Sequence, residues 1–162
     1  MRIKRLLLSV IAVPALIAGG VLTGGTAQAT PPAKDTSAVQ WHRLPAAPAA
    51  SQGPALRATA PSTAPAAGYV EYSPGSVAPC SRGVLCASVW NPVTNKWRQF
   101  NLSACNLYNV FYWQGNGGYF DNQTGGVRSY FYGQSGNVLH SFTPDARQHA
   151  YNWDQVYSVR NC

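Results

Sequence analysis

Ala87-Ser-Val-Trp-Asn-Pro-Val-Thr-Asn-Lys-Trp-Arg-Gln-Phe100 reads as two short extended runs joined by a turn, with Asn91-Pro92 and Thr94-Asn95 as the turn signals. The same pattern returns without a gap in Ser129-Tyr-Phe-Tyr-Gly-Gln-Ser-Gly-Asn-Val-Leu-His-Ser-Phe142, an offset of 42 residues (129 − 87). Val89 matches Phe131, Trp90 matches Tyr132, Trp97 matches Leu139, Phe100 matches Phe142, and the turn matches at Asn95 and Asn137. Each copy reads as a β-hairpin opening a four-strand unit of about forty residues. Two such units are expected to pack as paired Greek keys into a sandwich.

Working outward, the period stays at two rather than 3.6. Leu85, Ala87 and Val89 alternate with Cys86, Ser88 and Trp90. Val127, Ser129 and Phe131 alternate with Arg128, Tyr130 and Tyr132, and Val156, Ser158 and Arg160 with Tyr157 and Val159. Gly115-Asn-Gly-Gly118, Gly125-Gly126, Gly133, Gly136-Asn137 and Thr143-Pro144 punctuate these runs. Pro144 to Tyr151 is the one stretch that allows a helical turn or two. From Tyr69 to Cys162, 18 of 94 residues are Phe, Tyr or Trp, so residues 69–162 are expected to form one all-β domain. A domain this small gains much from cross-links.

Residues 1–29 carry a different signature. Arg2, Lys4 and Arg5 precede an apolar stretch from Leu6 to Leu22, and Ala27-Gln-Ala29 supplies the small residues of a cleavage site. This is the pattern of a secretory signal peptide, with a mature, secreted chain starting at Thr30. Residues 30–68 hold 12 Ala and 7 Pro among 39, and are expected to form a disordered spacer with Trp41-His-Arg43 as its single feature. Four cysteines in an oxidising compartment allow three pairings. The expected set is Cys80–Cys86, closing a tight loop around Gly83, and Cys105–Cys162, tying the C-terminal end to the body. The lack of a C-x-x-C pair speaks against zinc.

Cys80-Ser-Arg-Gly-Val-Leu-Cys86, leading directly into an aromatic strand and then the Trp97 strand, resembles the Streptomyces metalloproteinase inhibitor family. The resemblance runs from about Ala78 to Cys162. It implies a double Greek-key, βγ-crystallin-like sandwich with two disulfides, and an inhibitory role toward secreted metalloproteases. The crystallin-type corner has no clean copy, and Asp121-Asn-Gln-Thr124 runs into Gly125-Gly126 where a crystallin calcium loop needs hydroxyl ligands. Calcium takes six or more oxygens, so no metal or other cofactor is expected.

Catalysis is not expected. His140 and His149 lack an evident nucleophile, Gly133-Gln-Ser-Gly-Asn137 falls in a hairpin rather than a strand-to-helix elbow, and four scattered acids offer no facing pair. The domain carries six basic side chains against four acidic, a net of +2, too little for a phosphate groove, so nucleic acid is not an expected partner. Trp113 to Gly126 concentrates aromatics, amides and glycines, so Trp113, Tyr119, Asp121, Asn122, Gln123 and Thr124 are the candidate binding residues; the bland alternative places the aromatics in the core. The expected partner is an extracellular protein such as a secreted metalloprotease. The alternatives are a carbohydrate or cell-envelope glycan, or an antimicrobial protein on the same scaffold. Asn101-Leu-Ser103 and Asn122-Gln-Thr124 fit the glycosylation sequon.

Overall fold

The structure, a computed structural model, describes residues 39–49 and 58–162. The signal peptide expected at 1–29, and the rest of the spacer, lie outside these residues. Twelve strands form in chain order: β1 Val39–Arg43, β2 Ser62–Ala64, β3 Gly68–Tyr72, β4 Val77–Ser81, β5 Leu85–Asn91, β6 Lys96–Leu102, β7 Leu107–Phe111, β8 Asn116–Asp121, β9 Ser129–Tyr132, β10 Val138–Phe142, β11 Gln148–Asn152 and β12 Ser158–Arg160. Sheet I has the order β11-β8-β5-β6-β3, sheet II the order β10-β9-β12-β7-β2, and β1 and β4 form a two-stranded sheet of their own. The domain is all-β, as the period of two requires.

Both copies of the repeat are hairpins. β5 and β6 pair from Leu85↔Leu102 to Asn91↔Lys96, and β9 and β10 pair from Ser129↔Phe142 to Tyr132↔Val138. The left-handed residue falls at Asn95 (φ 53°) in the first turn but at Gly136 (φ 75°) in the second. That is one position off the alignment of Asn95 with Asn137, and the second hairpin has a register shift between Val138 and His140. In each four-strand unit the third strand crosses over: β7 joins sheet II, whereas β11 joins sheet I.

Alternation then decides what is buried. Leu85, Ala87, Val89, Phe100, Leu102 and Tyr119 of sheet I meet Tyr108, Val110, Phe131 and Val159 of sheet II in one core, with Trp113, Trp153 and Val156 from the connections. Trp113 stacks on Phe100 at 4.9 Å and meets Trp153 edge-on at 5.0 Å. Gly117 is required here, because a Cβ would collide with the Ser88 carbonyl and the Trp153 indole. Both expected disulfides are present, Cys80–Cys86 and Cys105–Cys162.

Two expectations are corrected. Pro144 to Tyr151 is no helix: its last residues enter β11, where His149 and Tyr151 pair with Tyr119 and Gly117. The 30–68 spacer is ordered in part. β1 pairs with β4 from Val39↔Ser81 to Arg43↔Val77, and β2 pairs with β7. An Ala/Pro-rich segment cannot build a core, but it can borrow a ladder and a pocket from one. Leu44 is buried with Ala78 and Trp97, and the Trp97 indole N–H donates to the Pro45 carbonyl at 2.9 Å.

Candidate functional site

The segment first singled out for binding turns inward. Trp113 and Tyr119 belong to the core, and Asp121 is fully buried at the end of β8. Asn122 donates its side-chain amide to the Cys80 carbonyl at 2.9 Å, and its own carbonyl accepts the Gly83 N–H at 2.8 Å. Gln123 reaches the Asn161 carbonyl and accepts the Ser129 hydroxyl at 2.8 Å. Of the six candidates only Thr124 is exposed. These amides clasp the small disulfide loop and the C-terminal strand to the body, so the proposed binding loop is corrected to a structural clasp. Asn122 commits its side-chain nitrogen to the Cys80 carbonyl, so the second sequon presents no free amide, whereas half-buried Asn101 accepts the Gln99 amide at 3.1 Å through its oxygen alone.

A polar and aromatic cluster lies between edge strands β10 and β11. The Tyr119 hydroxyl and His140 Nε2 are 2.8 Å apart, His149 stacks on Tyr119 at 4.8 Å, and His149 Nε2 lies 2.9 Å from Asp145 Oδ2. Burial raises the Tyr119 hydroxyl to about 12, and Asp145 and Asp121 add to that rise. Burial lowers His140, helped by the neighbouring His149. These groups hydrogen-bond to one another and pack on Phe131, Phe142 and Tyr151. Their geometry closes the open side of the sandwich. Among the described residues no group of three His, Cys, Asp or Glu is placed to hold a metal ion, and no helix is long and apolar enough to cross a membrane.

The surface that alternation leaves open is the outer face of sheet II. β7 turns Tyr108 and Val110 inward and Leu107, Asn109 and Phe111 outward. β9 turns Ser129 and Phe131 inward and Tyr130 and Tyr132 outward, while β12 buries Val159 and presents Ser158 and Arg160. The register aligns these in rows, Tyr130–Arg160–Leu107 and Tyr132–Ser158–Asn109, with neighbouring strands about 4.8 Å apart. Tyr112 and Tyr157 extend the face, and both are about half exposed, as are Leu107, Phe111 and Val138. A concavity of about 580 Å³ lies at one end, lined by Asn109, Phe111, Tyr112, Gln134, Tyr157 and Ser158 among others. Tyr112 holds a left-handed backbone (φ 59°), a strained geometry for a bulky residue that aims its ring outward at the rim.

The two sheets differ in what covers them. Sheet I has its outer side, with Trp97, Cys86 and Phe120, packed under Leu44, Ala78 and the Cys80–Cys86 loop. Among the described residues no strand is laid over sheet II. None of its five strands carries an Asp or Glu, so the face is aromatic, amide-bearing and cationic through Arg160. In the sequence Tyr108, Tyr112, Tyr130 and Tyr132 invite only a nucleic-acid reading, which the small charge excludes, and their alternation just as in core residues hides the face. The signal that marks it is composition: the outward partners of Phe131 are tyrosines, each able to expose a hydroxyl.

The fold and the open face together define a class: a disulfide-linked β-sandwich with one covered and one bare aromatic sheet. No protein-family model matches the chain, and neither does any curated protein or solved structure.

Proposed function

We propose that this is a secreted, non-catalytic binding protein that docks an extracellular protein through the outer face of sheet II, in the manner of a metalloprotease inhibitor. The observation that carries the reading is the outer face of sheet II, where Phe111, Tyr112 and Tyr157 are about half exposed beside the half-buried Tyr130 and Tyr132 and the exposed Arg160, on a sheet whose counterpart is covered. Tyr and Arg are the residues enriched where protein interfaces concentrate their binding energy, and large exposed apolar patches mark partner sites. Two disulfides and the two packed five-stranded sheets hold those side chains in place before binding, which lowers the entropy lost on docking.

The crossing of β7 and β11 between the sheets supports the crystallin-like double Greek-key architecture expected of that inhibitor family. Tyr130 and Tyr132 lie side by side on this face with near-parallel rings, 5.9 Å between centroids. The test is a titration of secreted metalloproteases with the purified chain. Near-stoichiometric inhibition that weakens at least tenfold in Tyr132→Ala and Arg160→Glu, with unfolding midpoints unchanged, is the expected result. No inhibition, together with retention on peptidoglycan or chitin, would replace this reading with the glycan one.

A further inference from the structure

Strand β1 is a strap. From Val39 to Pro45 only His42 and Leu44 are buried, while Trp41 is 65% exposed and turned away from the body. The strap pairs with β4 alone, which itself has no other strand neighbour. Leu44 and Pro45 anchor one end through the Leu44 N–H to the Ser76 carbonyl and the Gly75 N–H to the Pro45 carbonyl, both 2.9 Å. His42 is therefore the one side chain that seats the strand proper. Its ring stacks on Phe120 at 4.8 Å and 14°.

That seat suits only a neutral imidazole. His42 is 5% exposed; neither ring nitrogen makes a well-formed hydrogen bond, and the one polar side chain that bears on the ring is Gln99. Two oxygens of the sheet I floor, Ser88 Oγ and Gln99 Oε1, are buried without bonds, while the Gln99 amide donates to the Pro79 carbonyl at 2.8 Å. Charges are held elsewhere by the alternation of the strands beneath. Lys96 and Arg98 of β6, and Tyr119 and Asp121 of β8, occupy positions of opposite parity to Gln99 and Phe120 and so face the other side of sheet I. β4 and β5 carry no Asp, Glu, Lys or Arg, and Arg43 on the strap itself points out to the Gly75 carbonyl. Burial holds the His42 imidazole below its usual range, with Gln99 acting weakly in the other direction. One neutral amide oxygen is too little to keep an imidazolium out of water.

We propose that Val39–Arg43 is an acid-released strap, docked while His42 is neutral and lifted from Val77–Ser81 when the imidazole takes a proton. Lifting lets the charged ring and the two unpartnered oxygens hydrate, and bares the β4 edge, a ladder that another extended segment can fill. One proton governs one strand, so as pH falls below the pKa of the free ring the docking constant drops tenfold per pH unit, levelling off only below the lowered pKa of the docked ring.

Hydrogen–deuterium exchange of the full chain from about pH 4 to pH 7.5, corrected for intrinsic rates, reads this directly. Protection of residues 39–43 and 77–81 should collapse on acidification while that of 85–102 holds. His42→Phe keeps the stack on Phe120 and should keep the strap docked throughout. Should that variant fail to dock, the His42 imidazole followed by NMR in the wild-type chain over the same range should titrate in step with the loss of protection. Protection that is flat with pH in the wild type, or release at a pH that does not track the His42 titration, would overturn the proposal.

Discussion

Asp121→Asn is expected to stabilise the protein at neutral pH and not in acid. Asp121 is fully buried; one carboxylate oxygen accepts the Gln123 N–H at 3.1 Å and the other has no partner. Burial, helped by the charge of Asp145 and opposed by the Gln123 bond and His149, lifts the carboxyl from 3.8 to about 6. The folded protein thus binds this proton more tightly than the unfolded chain. Its contribution is full below about pH 4 and is lost as pH rises through about 6. A rise of 2.2 units (6 − 3.8) at 1.36 kcal/mol per unit amounts to about 3 kcal/mol. Asparagine keeps the acceptor for Gln123 and removes the charge. Urea unfolding of both proteins at about pH 4 and pH 7.5 should give a variant-minus-wild-type difference that moves by up to about 3 kcal/mol in the variant's favour at the higher pH. His42 and His140, both lowered chiefly by burial, weaken the fold on acidification instead, and they cancel in that difference. A difference constant to within about 0.5 kcal/mol would show that the Asp121 carboxyl is not perturbed and that its site admits water.

Gly117→Ala should destabilise by about 3 kcal/mol or prevent folding, because its Cβ would meet the Ser88 carbonyl and the indole that donates to it; thermal unfolding reads the loss. Tyr112→Gly relieves a left-handed residue and should hold or raise the stability by up to about 1 kcal/mol while weakening partner binding, the two being separable by calorimetry and titration. Replacing Cys105 and Cys162 by Ser, which opens a closure spanning 57 residues, should cost about 4 kcal/mol; opening the six-residue Cys80–Cys86 span should cost about 2 kcal/mol, both measured by denaturant unfolding.

The strands were legible because a period of two survives any context that buries one face. The repeat identified both hairpins, and an even cysteine count gave two bonds, with the pairing taken from the tight loop around Gly83 and the cysteine left at Cys162. What failed did so for physical reasons. The Pro144–Tyr151 region lacks a long apolar alternation, since β11 is an edge strand whose inward residues are only His149 and Tyr151. β1 was missed because its order comes from the β4 ladder and two buried side chains, not from its own composition. The Trp113–Gly126 stretch looked like a ligand loop because amides and aromatics serve equally to bind a ligand and to tie down backbone. Only the partners distinguish these uses, and here Asn122 and Gln123 spend their amides on Cys80 and Asn161.

The same ambiguity explains why the open face escaped notice. Alternation reports that a strand has two sides; it does not report whether a third layer lies on the outer one. In sheet I the outward residues are Cys86, Ser88, Trp97, Gln99 and Phe120, and the β1–β4 layer and disulfide loop bury them. In sheet II the outward residues are Leu107, Phe111, Tyr130, Tyr132 and Arg160, of comparable apolar content, yet nothing covers them among the described residues. A sequence that keeps apolar and tyrosyl side chains on an uncovered sheet accepts a solubility risk that polar substitutions at the same positions would remove without touching the core. Retaining them is consistent with a partner that completes the missing layer, as β1 and β4 complete it on the opposite side.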